Sequence, residues 1–219
     1  NIDINNVRIE RDTIFGRIKN ISGCDKSGFA LRELNGNIEL SSTEARIKDL
    51  ILADNYTRVI ANYFSMKYSS PRDLGEFTEL VKLGVDLNDS YLSFKTIGRI
   101  APSLYNSTLG LFISGKVSGP VCDLRSKSIQ VKSKSGDTFL DVSVRMTGLT
   151  DIEQTMSVVE INNCHTTSND VSRVVGAING KSGIEFFKRL APDIKYMFKG
   201  SLIGLPDDFV AHGLLTSKA

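Results

Sequence analysis

Tryptophan is absent from this 219-residue chain, and histidine (2), cysteine (3) and proline (5) are scarce. Cys24, Cys122 and Cys164 lie far apart, and none forms a C-x-x-C pair. That spacing gives no zinc or dithiol redox motif, and an odd, sparse set suits reduced thiols in a cytoplasmic, intracellular setting. Two histidines without clustered cysteines cannot supply an ordinary zinc ligand set. No apolar run approaches the roughly 18 residues that a membrane-spanning helix needs. No signal peptide is expected. There is also little net charge of either sign: the balance of +2 gives no long-range field. Anion binding would therefore have to come from a local patch.

Catalytic signatures are missing as well. There is no G-x-S-x-G elbow for a serine nucleophile. Gly176-Ala-Ile-Asn-Gly180-Lys181-Ser182 has three residues between its glycines, where a phosphate-binding loop needs four, and it follows a helical pattern rather than a strand. It reads as a helix end, an Asn-Gly turn and a new cap. Cys164 and His165 are neighbours and point to opposite faces of a strand. The pairs Asp86/Asp89, Asp151/Glu153 and Asp207/Asp208 suit capping and solvation better than acid–base work. No cofactor and no metal is expected. The sequons at Asn20, Asn55, Asn88 and Asn106 are read as products of an Asn-, Ser- and Thr-rich composition, and used sequons or a Cys122–Cys164 disulfide would mark a secreted domain instead.

What is present is patterned in four blocks. Residues 1–40 alternate like strands, with Val7 and Ile9 between Arg8 and Glu10, and Asn35-Gly36 suggests a hairpin turn. Residues 41–84 carry helical spacing. Ser41 and Glu44 have the form of a capping box, Ile47, Leu50 and Ile51 share a face, and Tyr56, Val59, Ile60, Tyr63 and Phe64 follow i, i+3, i+4, i+7, i+8. Ser70-Pro71 with Asp73 starts a further helix that Gly84 would end. Residues 91–163 return to strands, with a turn at Lys134–Asp137. Residues 168–213 are helical again, from a cap at Ser168 or Asn169, through a second capping box at Ser182/Glu185 and a fresh turn at Pro192, to a last short helix at Pro206.

The expected class is α+β: an antiparallel sheet or sandwich-like β blocks, about 1–40 and 91–163, packed with helical blocks, about 41–84 and 168–213. One domain over 1–219 is preferred, with a subdivision into 1–88 and 89–219 as the other choice and Gly84–Ser90 as the only linker candidate.

The functional lead is a basic β-hairpin. Arg125, Lys127, Lys132, Lys134 and Arg145 fall within about twenty residues, and alternation puts Lys132 and Lys134 with Gln130, and Phe139 with Arg145. Cations for phosphates and a ring for stacking are what single-stranded RNA binding requires, and the cations alone would suit an anionic membrane surface. Recognition sheets usually offer two or three rings, and here only Phe139 is on view. Val121-Cys122-Asp123-Leu124-Arg125 resembles the apolar-x-Asp-x-Arg string of plant-virus movement proteins. The composition suits a viral or polyprotein-derived product in host cytoplasm or virion. The expected role is a non-enzymatic structural or assembly protein that self-associates. The alternative is a small-ligand protein or hydrolase with a pocket between helices and sheet, near Tyr56, Tyr63, Cys164 or His212.

Overall fold

A computed structural model describes residues 2–24, 30–99, 104–105, 107–179, 194–206 and 208–218. The strands are β1 (Ile2–Glu10), β2 (Thr13–Ile21), β3 (Gly23–Cys24), β4 (Ala30–Leu31), β5 (Glu33–Leu40), β6 (Glu44–Ala53) and β7 (Arg58–Lys67). They continue as β8 (Lys82–Ser93), β9 (Gly110–Gly119), β10 (Asp123–Ser133), β11 (Phe139–Thr147), β12 (Met156–Thr167), β13 (Lys195–Gly204) and β14 (Phe209–Lys218). All except the short β3–β4 ladder join one 12-stranded antiparallel sheet, in which each strand pairs with the next along the chain. Helices are brief: a 3-10 turn (Pro71–Glu76), α1 (Phe77–Leu80), α2 (Phe94–Ile97), a 3-10 turn (Ile152–Gln154) and α3 (Ser168–Asn179).

The expectation of an α+β packing is therefore wrong. The block 41–84 holds β6 and β7, and only Pro71–Leu80 is helical. In the last block α3 is helical, 180–193 lies outside the described residues, and β13 and β14 follow. The Ser182/Glu185 capping box and Pro192 fall in that undescribed stretch. The linker candidate Gly84–Ser90 lies inside β8.

Bulges explain the misreading. A strand repeats every two residues, but an extra residue adds one to the spacing. Pairing skips Asp49 in β6 and Asn62 in β7. The apolar positions of β6 thus run Ala45, Ile47, Leu50, Leu52, and those of β7 run Val59, Ala61, Phe64, Met66. The three-residue step imitates one turn of helix. Ser41 and Glu44 make half of a box, with the Glu44 amide donating to Ser41 Oγ at 3.0 Å, but the Ser41 amide donates to the Glu44 carbonyl and the pair closes the β5–β6 turn. Asn35-Gly36 makes no hairpin turn. Gly36 sits within β5, opposite Ile18, at a register shift. The Ser70–Asp73 capping box is real and opens the 3-10 turn, which leads through α1 into β8 without reaching Gly84.

Residues directly opposite in neighbouring strands share a face of the sheet. One row runs Ile38, Ile47, Phe64, Val85, Val117 across β5–β9. A second runs Leu50, Ala61, Leu87, Gly115, Ile129, Val142, Ile161, Gly200, Gly213 across β6–β14. A third runs Ser90, Ile113, Val131, Leu140, Cys164, Phe198, Leu215 across β8–β14. In β9 these rows follow at two-residue steps, Val117, Gly115, Ile113, and in β11 Val144 lies two residues from Val142 and so shares its face. All three rows therefore lie on one face, and that face is apolar from β5 to β14.

Candidate functional site: an uncovered apolar face and the polar face behind it

The middle row coincides with the bulges. Register shifts fall beside it in β6, β7, β8, β10 and β12, and Asp49, Asp89 and Gly115 take positive φ there. Bulges bend strands and raise their twist, so a line of them folds the sheet along that line. Ala61 (2 % exposed), Leu50 and Val142 are buried at the fold line, as is Ile18 opposite Gly36. Among the described residues each strand packs extensively only against its sheet neighbours, and no helix covers the row. A sheet bent along this line forms a shallow trough on its apolar face, with these residues at the floor. Gly36, Ala61, Gly115, Gly200 and Gly213 keep the floor of this trough low. Nine strands at about 4.8 Å spacing give the fold line a length of roughly 40 Å.

Among the described residues no second layer comparable to the sheet is present. A compact monomer of 24.1 kDa should expose about 10,000 Å². This chain exposes 13691 Å². Along the trough walls Ile47, Val85, Val117, Val144, Val159 and Leu202 remain only half-buried. At the sheet's two ends, Ile2, Val7 and Ile9 of β1 and Phe209, Val210 and Leu214 of β14 are exposed.

The opposite face is polar, and it holds the residues singled out in the sequence. One of its rows runs Glu39, Arg46, Ser65, Gly84, Ser118, Arg125, Arg145 across β5–β11. Another runs Arg58, Tyr91, Phe112, Lys132, Phe139, His165, Met197 across β7–β13. The hairpin exists as β10–β11 with its turn at Lys134–Gly136, and its basic residues do not form one patch. Arg125 and Arg145 stand opposite each other at one end, both bonded to Asp123, with Arg145 Nε at 3.0 Å from Oδ1. These contacts, Arg125 first and Arg145 second, hold the Asp123 carboxyl at a pKa of about 2. Lys132 and Phe139 pair at the other end, on the order of 20 Å away, with Lys134 in the adjoining turn. Lys127 sits in the β10 bulge, where its carbonyl accepts from Ser143 Oγ at 2.8 Å.

Two rings escaped the sequence reading. His165 stacks on Phe139 with centroids 5.4 Å apart, and Phe112 lies opposite Lys132. A cleft of about 480 Å³ is lined by Phe112, Lys132, Lys134, Phe139 and His165, with Asp89 also on its wall. The signal was available: Leu111 and Ile113 on the apolar face require Phe112 on the other.

The residues proposed around an enzyme pocket do not converge. Tyr63 pairs with Asp86 on the polar face, and His212 pairs with Ser201 there. Cys164 lies on the apolar face, its thiol pKa pushed up by burial. Tyr56 occupies the β6–β7 turn, under the Lys95 ammonium at 4.3 Å from its ring centroid. The three cysteines are free thiols. Of the sequons, Asn20 is in β2, Asn55 in the β6–β7 turn and Asn88 in β8, while Asn106 is outside the described residues. Asp170 anchors α3 to the hairpin turn, accepting from Thr138 Oγ1 at 2.8 Å and Ser135 Oγ at 3.0 Å. Burial raises its pKa, but hydroxyl donors from Ser133, Thr138 and Ser135 and the nearby Arg173 outweigh that and lower it. No cluster of metal-ligating side chains occurs among the described residues, and no described helix is long and apolar enough to cross a membrane. No family model, curated protein or solved structure matches the chain.

Proposed function

We propose that this chain binds the hydrocarbon portion of an amphiphile along its uncovered apolar face. One observation carries the reading: three apolar rows lie side by side over most of the sheet, and no described element covers them. Water on that face is unfavourable by about 25 cal/mol per Å² of apolar surface, which is the driving force available to a ligand. The lining is mostly Ile, Leu and Val with few hydrogen-bonding groups, so it suits aliphatic chains better than polar metabolites. The bulge line gives such chains a direction, across the strands.

The period-two geometry supplies the test. A photo-crosslinking amino acid is placed at Val117 or Val144 on the apolar face, and at Ser118 or Ser143 on the polar face. The protein is loaded with a radiolabelled fatty acid and irradiated. Adducts at the valine positions only are the expected result. Equal labelling at both sets, or none at the valines, overturns the reading.

A second reading, self-association, is favoured by the ends of the sheet. The outer strands β1 and β14 have nine and ten residues, contain no proline, and expose large apolar side chains, with Ile9 71 % and Val210 72 % exposed. β1 is blunted by two register shifts and by Asp3, Arg8 and Glu10, whereas β14 pairs with β13 without a shift, so β14 is the edge open to strand addition. A second copy joining edge to edge would lengthen the trough. Sedimentation equilibrium tests it: a concentration-dependent rise in mass that Val210→Lys abolishes supports it, and a monomer at high concentration refutes it.

A further inference from the structure

We infer that the polar face carries a binding site for a phosphate-class anion between Lys67 and Lys82. The two lysines stand directly opposite each other in β7 and β8, at the rim of the sheet. Cross-strand partners have Cβ atoms about 5 Å apart, and like charges there repel. Sheets usually relieve such a pair with a neighbouring carboxylate. One is at hand, because Glu44 of β6 lies directly opposite Lys67. Its carboxylate is instead taken by Arg46, whose Nε and Nη2 donate to Oε1 at 3.0 and 2.7 Å. The other nearby carboxylate, Asp123, is engaged by Arg125 and Arg145. Both acids are thus spent on arginines, and neither lysine has an ion pair or hydrogen bond among the described residues.

The space matches the charge. A cleft of about 540 Å³ is lined by Arg46, Lys67, Lys82, Ser118, Asp123 and Arg125. Gly84 forms its floor between Ser65 and Ser118, and any side chain there would crowd Ser65 Oγ, 2.8 Å from an added Cβ. Arg46 is held rigid by Glu44 and by the Tyr63 ring, 5.6 Å from its centroid. Two mobile ammoniums beside fixed guanidinium groups suit a compact dianion, which can be shared between both lysines. Asp123 sets a limit by repelling ligands that reach its end of the cleft. This site is on the face opposite the trough and does not depend on the amphiphile reading.

The test measures pyrophosphate binding by calorimetry in chloride buffer of matched ionic strength. Wild type, Lys67→Gln, Lys67→Glu, Lys82→Gln and the distant control Lys199→Gln are compared. Sedimentation with vesicles of phosphatidylglycerol or phosphatidylcholine forms a second arm. Folding of each variant is checked by thermal midpoint, which Lys67→Gln should leave nearly equal because it removes the Lys67–Lys82 repulsion, whereas Lys67→Glu also sets a second carboxylate opposite Glu44. Saturable pyrophosphate binding, weakened at least about tenfold at either lysine and unchanged in the control, is the expected result. Binding to phosphatidylglycerol vesicles alone, with the same lysine dependence, supports the site with the phosphate in a headgroup. Absence of both, or equal loss in Lys199→Gln, overturns the inference.

Discussion

Replacing Gly115 by alanine tests whether the fold line is imposed by the backbone. Gly115 lies in the middle row at φ +138°, and an added Cβ would sit 2.4 Å from the Ser128 carbonyl oxygen. Two costs add here. Holding an L-residue at that φ costs about 1–3 kcal/mol. The contact is with backbone across the ladder, so it can be relieved only by opening the β9–β10 pairing, at further cost. The total is about 3 kcal/mol or more, a large share of the roughly 5–15 kcal/mol that stabilises a domain. With a urea slope near 2 kcal/mol/M, the unfolding midpoint should fall by about 1.5 M. Gly136→Ala isolates the conformational part. Its φ is +82°, nothing lies within 4 Å of the added Cβ, and a left-handed residue costs about 1–2 kcal/mol, or roughly 0.5–1 M. Gly75→Ala meets neither penalty and should leave the midpoint unchanged or slightly higher. If Gly115→Ala falls no further than Gly136→Ala, with unchanged slope, the bend is not built into this position and the trough argument loses its structural basis.

Three further outcomes follow from the same geometry. Ser90 is fully buried where β8 bulges away from β7, and its hydroxyl accepts from the Ile60 amide at 2.9 Å and donates to the Ile60 carbonyl at 2.8 Å. Ser90→Ala strands both groups and should cost about 1–3 kcal/mol, with faster hydrogen exchange at the Ile60 amide as the local readout. The Asp123 carboxyl, followed by carbon NMR, should titrate near pH 2. Because its folded pKa is depressed, the pairing stabilises the protein above the ordinary carboxylate range and is lost as pH falls through about 2, and Arg125→Gln should raise the midpoint more than Arg145→Gln. If the hairpin binds RNA or anionic vesicles, Lys132→Glu with Lys134→Glu should abolish salt-sensitive binding measured by fluorescence anisotropy. Arg125→Gln with Arg145→Gln should matter less, since Asp123 already occupies those guanidinium groups; the opposite ranking would refute the assignment.

Local chemistry made several elements legible. The β10–β11 hairpin, the Ser70-Pro71 start and the α3 start were all readable from alternation, turn residues and caps, because those signals act over a few residues. Alternation also put Leu109, Leu111, Ile113 and Val117 on one face, and the last three lie together in β9, which begins after Leu109. Of the hairpin residues, parity put Phe139 with Arg145, but Arg125 and Lys132 are seven residues apart and share a face only because of the β10 bulge. That Asp123 would claim both arginines, and that Phe112 and His165 would join the other end, required neighbouring strands in register.

By itself, then, the amino-acid sequence determined which side chains alternate, where short turns form, and that no disulfide framework or membrane-spanning helix is available. Only the tertiary structure decided that 44–67 is sheet, because a bulged strand and a helix place apolar residues at the same spacing and only the partner strand distinguishes them. The bulges also gain their meaning only together. One extra residue is a local kink, whereas several aligned across neighbouring strands bend the sheet along one line, and that alignment is fixed by long-range register.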